Sequence, residues 1–165
     1  MTRFVRGVSL LFTGLFSGFL VCVLVLEKSL RGFDGSVYTQ VRLVELDSLD
    51  KLAAVTLIPA FVATVVLAVR SRGSGSLVPA AVGLLVVVFV TTFVVNLPIN
   101  SNQLSWSVQQ PPSDWASVRD RWQLAHLVRT VAAVLAFGML LSQQVVGERV
   151  GGVVVEAGRG VGHRQ

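Results

Sequence analysis

The stretch LLVVVFVTTFVV, residues 84–95, decides the fold. Its β-branched residues suit a buried strand of a parallel sheet as readily as a helix. Length separates the two. A buried strand needs about 4 to 8 residues, whereas this uncharged run reaches back to Leu77. The run 77–95 therefore reads as a helix long enough to cross a bilayer.

Three further apolar runs flank it, at 7–26, 52–69 and about 124–146. Each has about 18 to 23 residues, which at about 1.5 Å rise per residue matches a hydrocarbon core of about 30 Å. Composition agrees, with 53% hydrophobic and 14% charged residues and a mean hydropathy of +0.71, where a soluble domain carries about 25% charge. The expectation is an all-α fold, a transmembrane four-helix bundle. Residues 1–147 form the membrane domain, with two outer loops at 27–51 and 96–123. Residues 148–165, Gly-rich and without helical period, read as a flexible, disordered cytoplasmic tail in which His163 is solvated. RSRGSGS, residues 70–76, reads as a short flexible turn joining spans two and three as an antiparallel pair.

Arg3 and Arg6 precede span one as the n-region of a secretory signal would, but the apolar run is too long and no small-x-small site precedes Glu27. An uncleaved first span is expected. Orientation follows from Lys and Arg. Arg3, Arg6, Arg70, Arg72, Arg149, Arg159 and Arg164 fall on one side, at roughly twice the density of Lys28, Arg31, Arg42, Lys51, Arg119 and Arg121 on the other. Both termini are therefore expected in the cytoplasm of a multi-pass protein of the cell membrane. The pI near 10.7 is anchoring charge; nucleic acid is excluded as a partner because no soluble basic domain exists to bind it.

Polar chemistry gathers at the outer end. DWASVRDRWQLAHLVRT, residues 114–130, runs from a charged aromatic start into hydrocarbon. Trp115, Arg119, Trp122, His126 and Arg129 are spaced to stack along one helix face. Pro111 and Pro112 stop any earlier helix, and Ser113 or Asp114 can cap the new one. From Asp114 to Val146 that helix would be roughly 50 Å long, which puts His126 and Arg129 within about two turns of the outer boundary. Arg129 can snorkel to headgroups with Trp115 and Trp122 as an interfacial belt, or it can face inward, where a charge avoids the cost of lipid exposure. The full stripe favours the inward reading, since Arg119 and His126 need no anchor. A second polar group comes from VVNLPINSNQLSW, residues 94–106. Pro98 biases Leu97 away from helix, so the chain is expected to unwind there. Asn96 and Asn100 then either cap the break or bind a ligand.

NLPIN, a following Trp, DWASVRDRWQLAHLVRT and a closing apolar span together resemble the anthrone oxygenase-like family of small four-span membrane proteins, most of whose bacterial members are catalogued as a domain of unknown function. Asn96, Pro98, Asn100, Trp115, Arg119, Arg121, Trp122, His126 and Arg129 carry the resemblance; Tyr38 and Arg42 in the first outer segment match less distinctively. The resemblance covers the chain through span four. It implies the four-span fold and, by way of some fungal members, oxidation of polyketide anthrones to anthraquinones by O2. An anthrone loses a benzylic proton to give an enolate that can itself pass an electron to O2, so the protein need supply a base, an anion partner and a dry pocket. His126 and Arg129 are the candidate catalytic pair, base and enolate partner. Asn96, Asn100, Trp115, Arg119 and Trp122 are the candidate substrate-binding residues.

No cofactor is expected. The single cysteine, Cys22, excludes an internal disulfide or CxxC pair, no phosphate-binding glycine loop is present, and no His or Cys pair has metal-ligand spacing, which leaves Glu45, Asp47 or Asp50 with His126 as the minor metal alternative. The expected partners are the lipid bilayer, a hydrophobic aromatic small molecule and O2. Gly14 and Gly18 form a G-x-x-x-G in span one, a packing face that also leaves a homodimer open. The competing class is a non-enzymatic membrane binding or accessory protein. A carrier would spread polar groups through mid-membrane, whereas span two offers Thr56, Pro59 and Thr64, and span three Thr91 and Thr92.

Overall fold

A computed structural model describes residues 2–70 and 77–161, all helix and connecting turn, with no strand among the described residues. Helix α1 spans Thr2–Ser29. After a single 3₁₀ turn at Leu30–Gly32, α2 spans Gly35–Arg70. Helix α3, Val78–Thr91, passes through a π-helical segment, Thr92–Asn96, into α4, Leu97–Gln103. Helix α5 begins at Trp115 and its backbone stays helical to Val161. The stretch 84–95 is helical throughout, and four helices are long and apolar enough to cross a membrane.

Three boundaries differ from the sequence reading. The first outer loop, expected over 27–51, is reduced to the residues between α1 and α2. Asp34 starts α2 there, its Oδ1 accepting from the Val37 N–H at 3.0 Å and its carbonyl from the Tyr38 N–H at 3.0 Å. Hydropathy started span two at residue 52 because Arg42, Glu45, Asp47, Asp50 and Lys51 before it are charged; Arg42 and Glu45 are buried against one another, and the other three lie exposed on the same helix. Secondly, the chain does not unwind at Pro98. The missing N–H and the ring's clash with the turn before it are absorbed by the π segment, where the Leu97 N–H reaches back five residues to the Thr92 carbonyl. Thirdly, α5 passes the boundary at 147 that the glycines suggested, since extending a formed helix costs far less than nucleating one. Residues 71–76, where a flexible turn is expected from the sequence, and residues 162–165, with His163, lie outside the described residues.

In the bundle α1 packs on α2 and α5, and α3 packs on α5 and α2, so each helix has two antiparallel neighbours. Phe16, Leu20, Leu57, Val88, Ala132 and Ala133 fill the middle. Leu67, Val78, Ala81, Leu85, Ala136 and Leu140 fill the end nearer the termini. The small residues of α5 let its backbone approach closely. Gly14 serves the same purpose from α1: a Cβ there would lie 3.0 Å from Phe137 Cε2, whereas one at Gly18 would meet nothing within 4 Å. Outside, Leu11, Leu15, Val55, Val62, Val90 and Leu135 are exposed, the inverted surface of a protein solvated by lipid. At the α1/α2 turn end a third cluster, Leu30, Tyr38, Trp106 and Val118, roofs a layer of buried charge.

Candidate functional site

Arg42 of α2 is the hub of that layer. It is 3% exposed, and its Nη1 donates to Glu27 Oε1 of α1 at 3.2 Å and to Glu45 Oε2 one turn on. Nε and Nη2 donate to Gln103 Oε1 at 3.2 and 3.1 Å, and Nη2 also to Asn100 Oδ1 at 3.1 Å. The guanidinium lies 4.1 Å from the centroid of the Trp122 ring, within cation–π range. Trp122 Nε1 donates to the same Asn100 Oδ1 at 2.7 Å, and its ring stacks on His126 with centroids 4.9 Å apart. Glu27 is tied across to α5 by Gln123 Nε2 at 2.9 Å. All four membrane helices thus meet in one connected polar network, the arrangement by which buried charge is tolerated.

His126 carries the network to Arg129. Its Nε2 lies 3.0 Å from the Leu20 carbonyl, which can only accept, so that nitrogen bears the proton; Nδ1 then accepts from Arg129 Nε and Nη2 at 3.1 and 3.0 Å. Both ring nitrogens are engaged and the ring is fully buried. Arg129, 8% exposed, has Thr92 Oγ1 of the π segment as a further acceptor at 3.5 Å and makes no ion pair among the described residues. Its counter-charge is Asp50, which acts on it across the cavity without a direct contact.

Arg129 faces a cavity of about 140 Å³ between α2 and the α3 to α4 segment. Asp50, Asn100 and Arg129 form its polar end, and Phe16, Leu57, Ile58, Phe89 and Phe93 its apolar walls. Asn100 Nδ2 donates to both Asp50 oxygens, at 3.2 and 3.1 Å, so one amide orients the carboxylate while its oxygen holds Trp122 and Arg42. The π segment supplies Thr92 and Phe93 to the wall; such bulges are frequent at functional sites. Beside the cavity, a void of about 20 Å³ between Glu45, Asp50, Arg42 and Arg129 is large enough for one water. A larger depression of about 270 Å³ between α1 and α5 also has charged walls, but there Arg31 is already paired with Asp120 at 2.9 Å and bonded to Gln123 at 2.6 Å. The first cavity instead joins a buried cation, Arg129, and a carboxylate, Asp50, with no direct pair between them.

Of the residues expected to form the site, Asn96, Asn100, Trp122, His126 and Arg129 come together. Asn96 and Asn100 do not cap the helix break: Asn96 Nδ2 reaches the Trp122 carbonyl at 3.4 Å, and Asn100 serves the network. Trp115 and Arg119 stand one layer nearer the turn end, Trp115 tilted on Tyr38 with centroids 5.6 Å apart and Arg119 over the Trp115 ring at 4.9 Å. His126 does not line the cavity. Sequence reading missed Glu27 and Gln103, had Arg42 only as a less distinctive match in the first outer segment, and had Asp50 only as one of three acids that could join His126 at a metal. The one signal available was Arg42 and Glu45 three residues apart, helical spacing inside what looked like a loop. Among the described residues no group of three or more His, Cys, Asp or Glu is placed to hold a metal ion.

No curated protein and no solved structure matches the chain. Residues 49–139, more than half of its 165 residues, match the family model described as anthrone oxygenase. That segment runs from just before Asp50 to the middle of α5 and includes every residue at the polar end of the cavity, and on this match the chain belongs to the anthrone oxygenase family.

Proposed function

We propose that the chain binds a flat, hydroxylated or oxo-bearing aromatic in the cavity between α2 and α3, entered from the bilayer, and oxidises it with O2 without a cofactor. The observation that carries the reading is Arg129 with Asp50, a buried guanidinium and a carboxylate that make no direct ion pair, together at the polar end of an otherwise apolar cavity. An oxyanion formed on the ligand can pair with Arg129 directly, as Asp50 does not, and because it is more negative than the neutral ligand, Arg129 stabilises the reacting form selectively.

For an anthrone the step balances as follows. Asp50, oriented by Asn100, takes a benzylic proton. The enolate, its oxygen against Arg129, gives one electron to O2, and the carbon radical and superoxide combine in a C–O bond. Loss of the second proton from that carbon breaks the O–O bond, leaving the quinone carbonyl and a hydroxide, which the first proton converts to water. One anthrone and one O2 give one anthraquinone and one water. On the motif alone the base role falls to His126. With Nδ1 receiving Arg129 and Nε2 donating to Leu20, its better role is to aim the guanidinium, and the carboxylate in the cavity is the better base. Trp122, and above it Trp115 and Arg119, act as the packed roof.

The test is O2 uptake and quinone formation by the purified protein with a simple anthrone, against the spontaneous rate. Wild type should accelerate it, and Asp50→Asn should lose roughly a hundredfold or more, the usual worth of a positioned base. Wild-type turnover no faster than the spontaneous rate overturns the enzymatic reading; binding without turnover would make the chain a carrier or accessory protein. The Lys and Arg asymmetry supports cytoplasmic termini in the cell membrane, with the cavity near the outer face. Reporter fusions at both ends test that orientation; both active outside would reverse it.

A further inference from the structure

Resting on the reading that this cavity holds the aromatic ligand, we propose that the ligand is a lipid-tailed phenol: one hydroxylated ring in the cavity, with a hydrocarbon chain leaving between α2 and α3 into the bilayer. The first observation is size. A dry cavity of about 150 Å³ takes a single benzene ring, and this one measures about 140 Å³. A ring that puts its oxygen on Arg129 and Asp50 fills it, so the rest of any larger molecule lies outside. In a fused tricycle those outer rings continue stiffly in the same plane; a chain can turn.

The second observation is where the cavity opens. Ile58 and Phe93 line it and are 55% and 60% exposed, on the same outer surface as Val55, Val62 and Val90. That mouth faces hydrocarbon. The third is polarity along the cavity: Asp50, Asn100 and Arg129 lie at the end toward the α1/α2 turn, while Phe16, Ile58 and Phe89 lie deeper along the apolar spans. A ligand so placed has its hydroxyl near headgroup level and its apolar part toward the membrane centre, the posture of an amphiphile already in the leaflet. Such a ligand needs no passage through water. The tail contributes by holding the ring at the mouth at high local concentration, not by filling a protein groove.

The experiment uses the full chain in lipid nanodiscs with a phenol carrying a photoreactive diazirine midway along an alkyl tail. Labelled residues are located by peptide mass spectrometry, and binding of the same phenol without its tail is measured separately. Labels should concentrate around Ile58 and Phe93. They should fall when excess tail-less phenol competes, and by roughly tenfold or more in Arg129→Gln, the scale of one lost charge-assisted hydrogen bond. Labels spread evenly over the lipid faces of all four helices, while tail-less phenol still binds, would overturn the tail and leave the cavity reading standing. No binding of either phenol would overturn both. A folded Arg129→Gln protein, checked by its helical circular dichroism, that labels like wild type would likewise remove the proposal.

Discussion

Replacing Arg42 by Met keeps the length of the side chain and removes its charge. The structure sets the size of the effect. Arg42 holds Glu27 and Glu45, both 5% exposed or less, and gives three more hydrogen bonds to Gln103 and Asn100. Removing one partner of a buried pair costs about 3–5 kcal/mol, since the remaining charge is left without compensation. For a chain of this size each kcal/mol moves Tm by about 2–4 °C, so Arg42→Met should unfold about 6–20 °C below wild type. The companion variant, Arg42→Met with Glu27→Gln and Glu45→Gln, has no stranded charge and should recover at least about half of that loss, because a neutral replacement of a buried ion group is often near neutral. Both are read by thermal unfolding of detergent-purified protein, followed by circular dichroism. A single variant within about 2 °C of wild type, or a triple variant no better than the single, would refute the argument that Arg42 is what makes these carboxylates tolerable.

Other residues give contrasting outcomes. Gly14→Val should lose about 1–3 kcal/mol by overpacking Phe137, with recovery in Phe137→Leu, whereas Gly18→Val should leave monomer stability unchanged; equal effects in thermal unfolding would show that Gly14 is not the packing contact. Pro98→Ala restores the missing N–H, and if the π segment then closes, α4 turns by roughly 100° and Asn100 leaves Trp122. Near-ultraviolet circular dichroism should register the altered Trp environment, and an unchanged spectrum would mean the network, not Pro98, holds the bulge. His126→Phe keeps a ring on Trp122 but removes the acceptor that aims Arg129. In an anthrone assay kcat and kcat/KM should fall together by roughly tenfold with KM little changed, because Arg129 acts on the enolate more than on the neutral ligand. A fall of roughly a hundredfold or more, as expected of Asp50→Asn, would return the base role to His126.

Much of the architecture was written along the chain. A run such as 84–95, uncharged and continuous with Leu77, has one stable fate in a bilayer, because backbone groups without water must bond within their own segment. Hydrophobic length is a local property, and so is the periodicity that put Trp122, His126 and Arg129 on one face of α5. The NLPIN and DWASVRDRWQLAHLVRT motifs also led to the family that residues 49–139 match.

The partners of those residues were another matter. Arg42 read as loop charge because its compensation comes from Glu27 on α1 and from Asn100 and Gln103 on α4, residues up to 61 positions away. Hydropathy weighs each residue as if alone, so it left the whole charged stretch 42–51 outside span two, the buried Arg42 and Glu45 with the exposed Asp47, Asp50 and Lys51. His126 read as a base because a free imidazole is one; Leu20, 106 positions away, and Arg129 occupy both its nitrogens. Asp50 looked like one acid among several until Asn100 turned it toward the cavity. The sequence by itself determined how many helices cross the membrane and which end is polar, since both follow from the transfer energy of contiguous side chains. Only the tertiary structure decided which charges pair directly and which two, Arg129 and Asp50, face a cavity instead, because electrostatic compensation depends on distances between helices that no single segment contains.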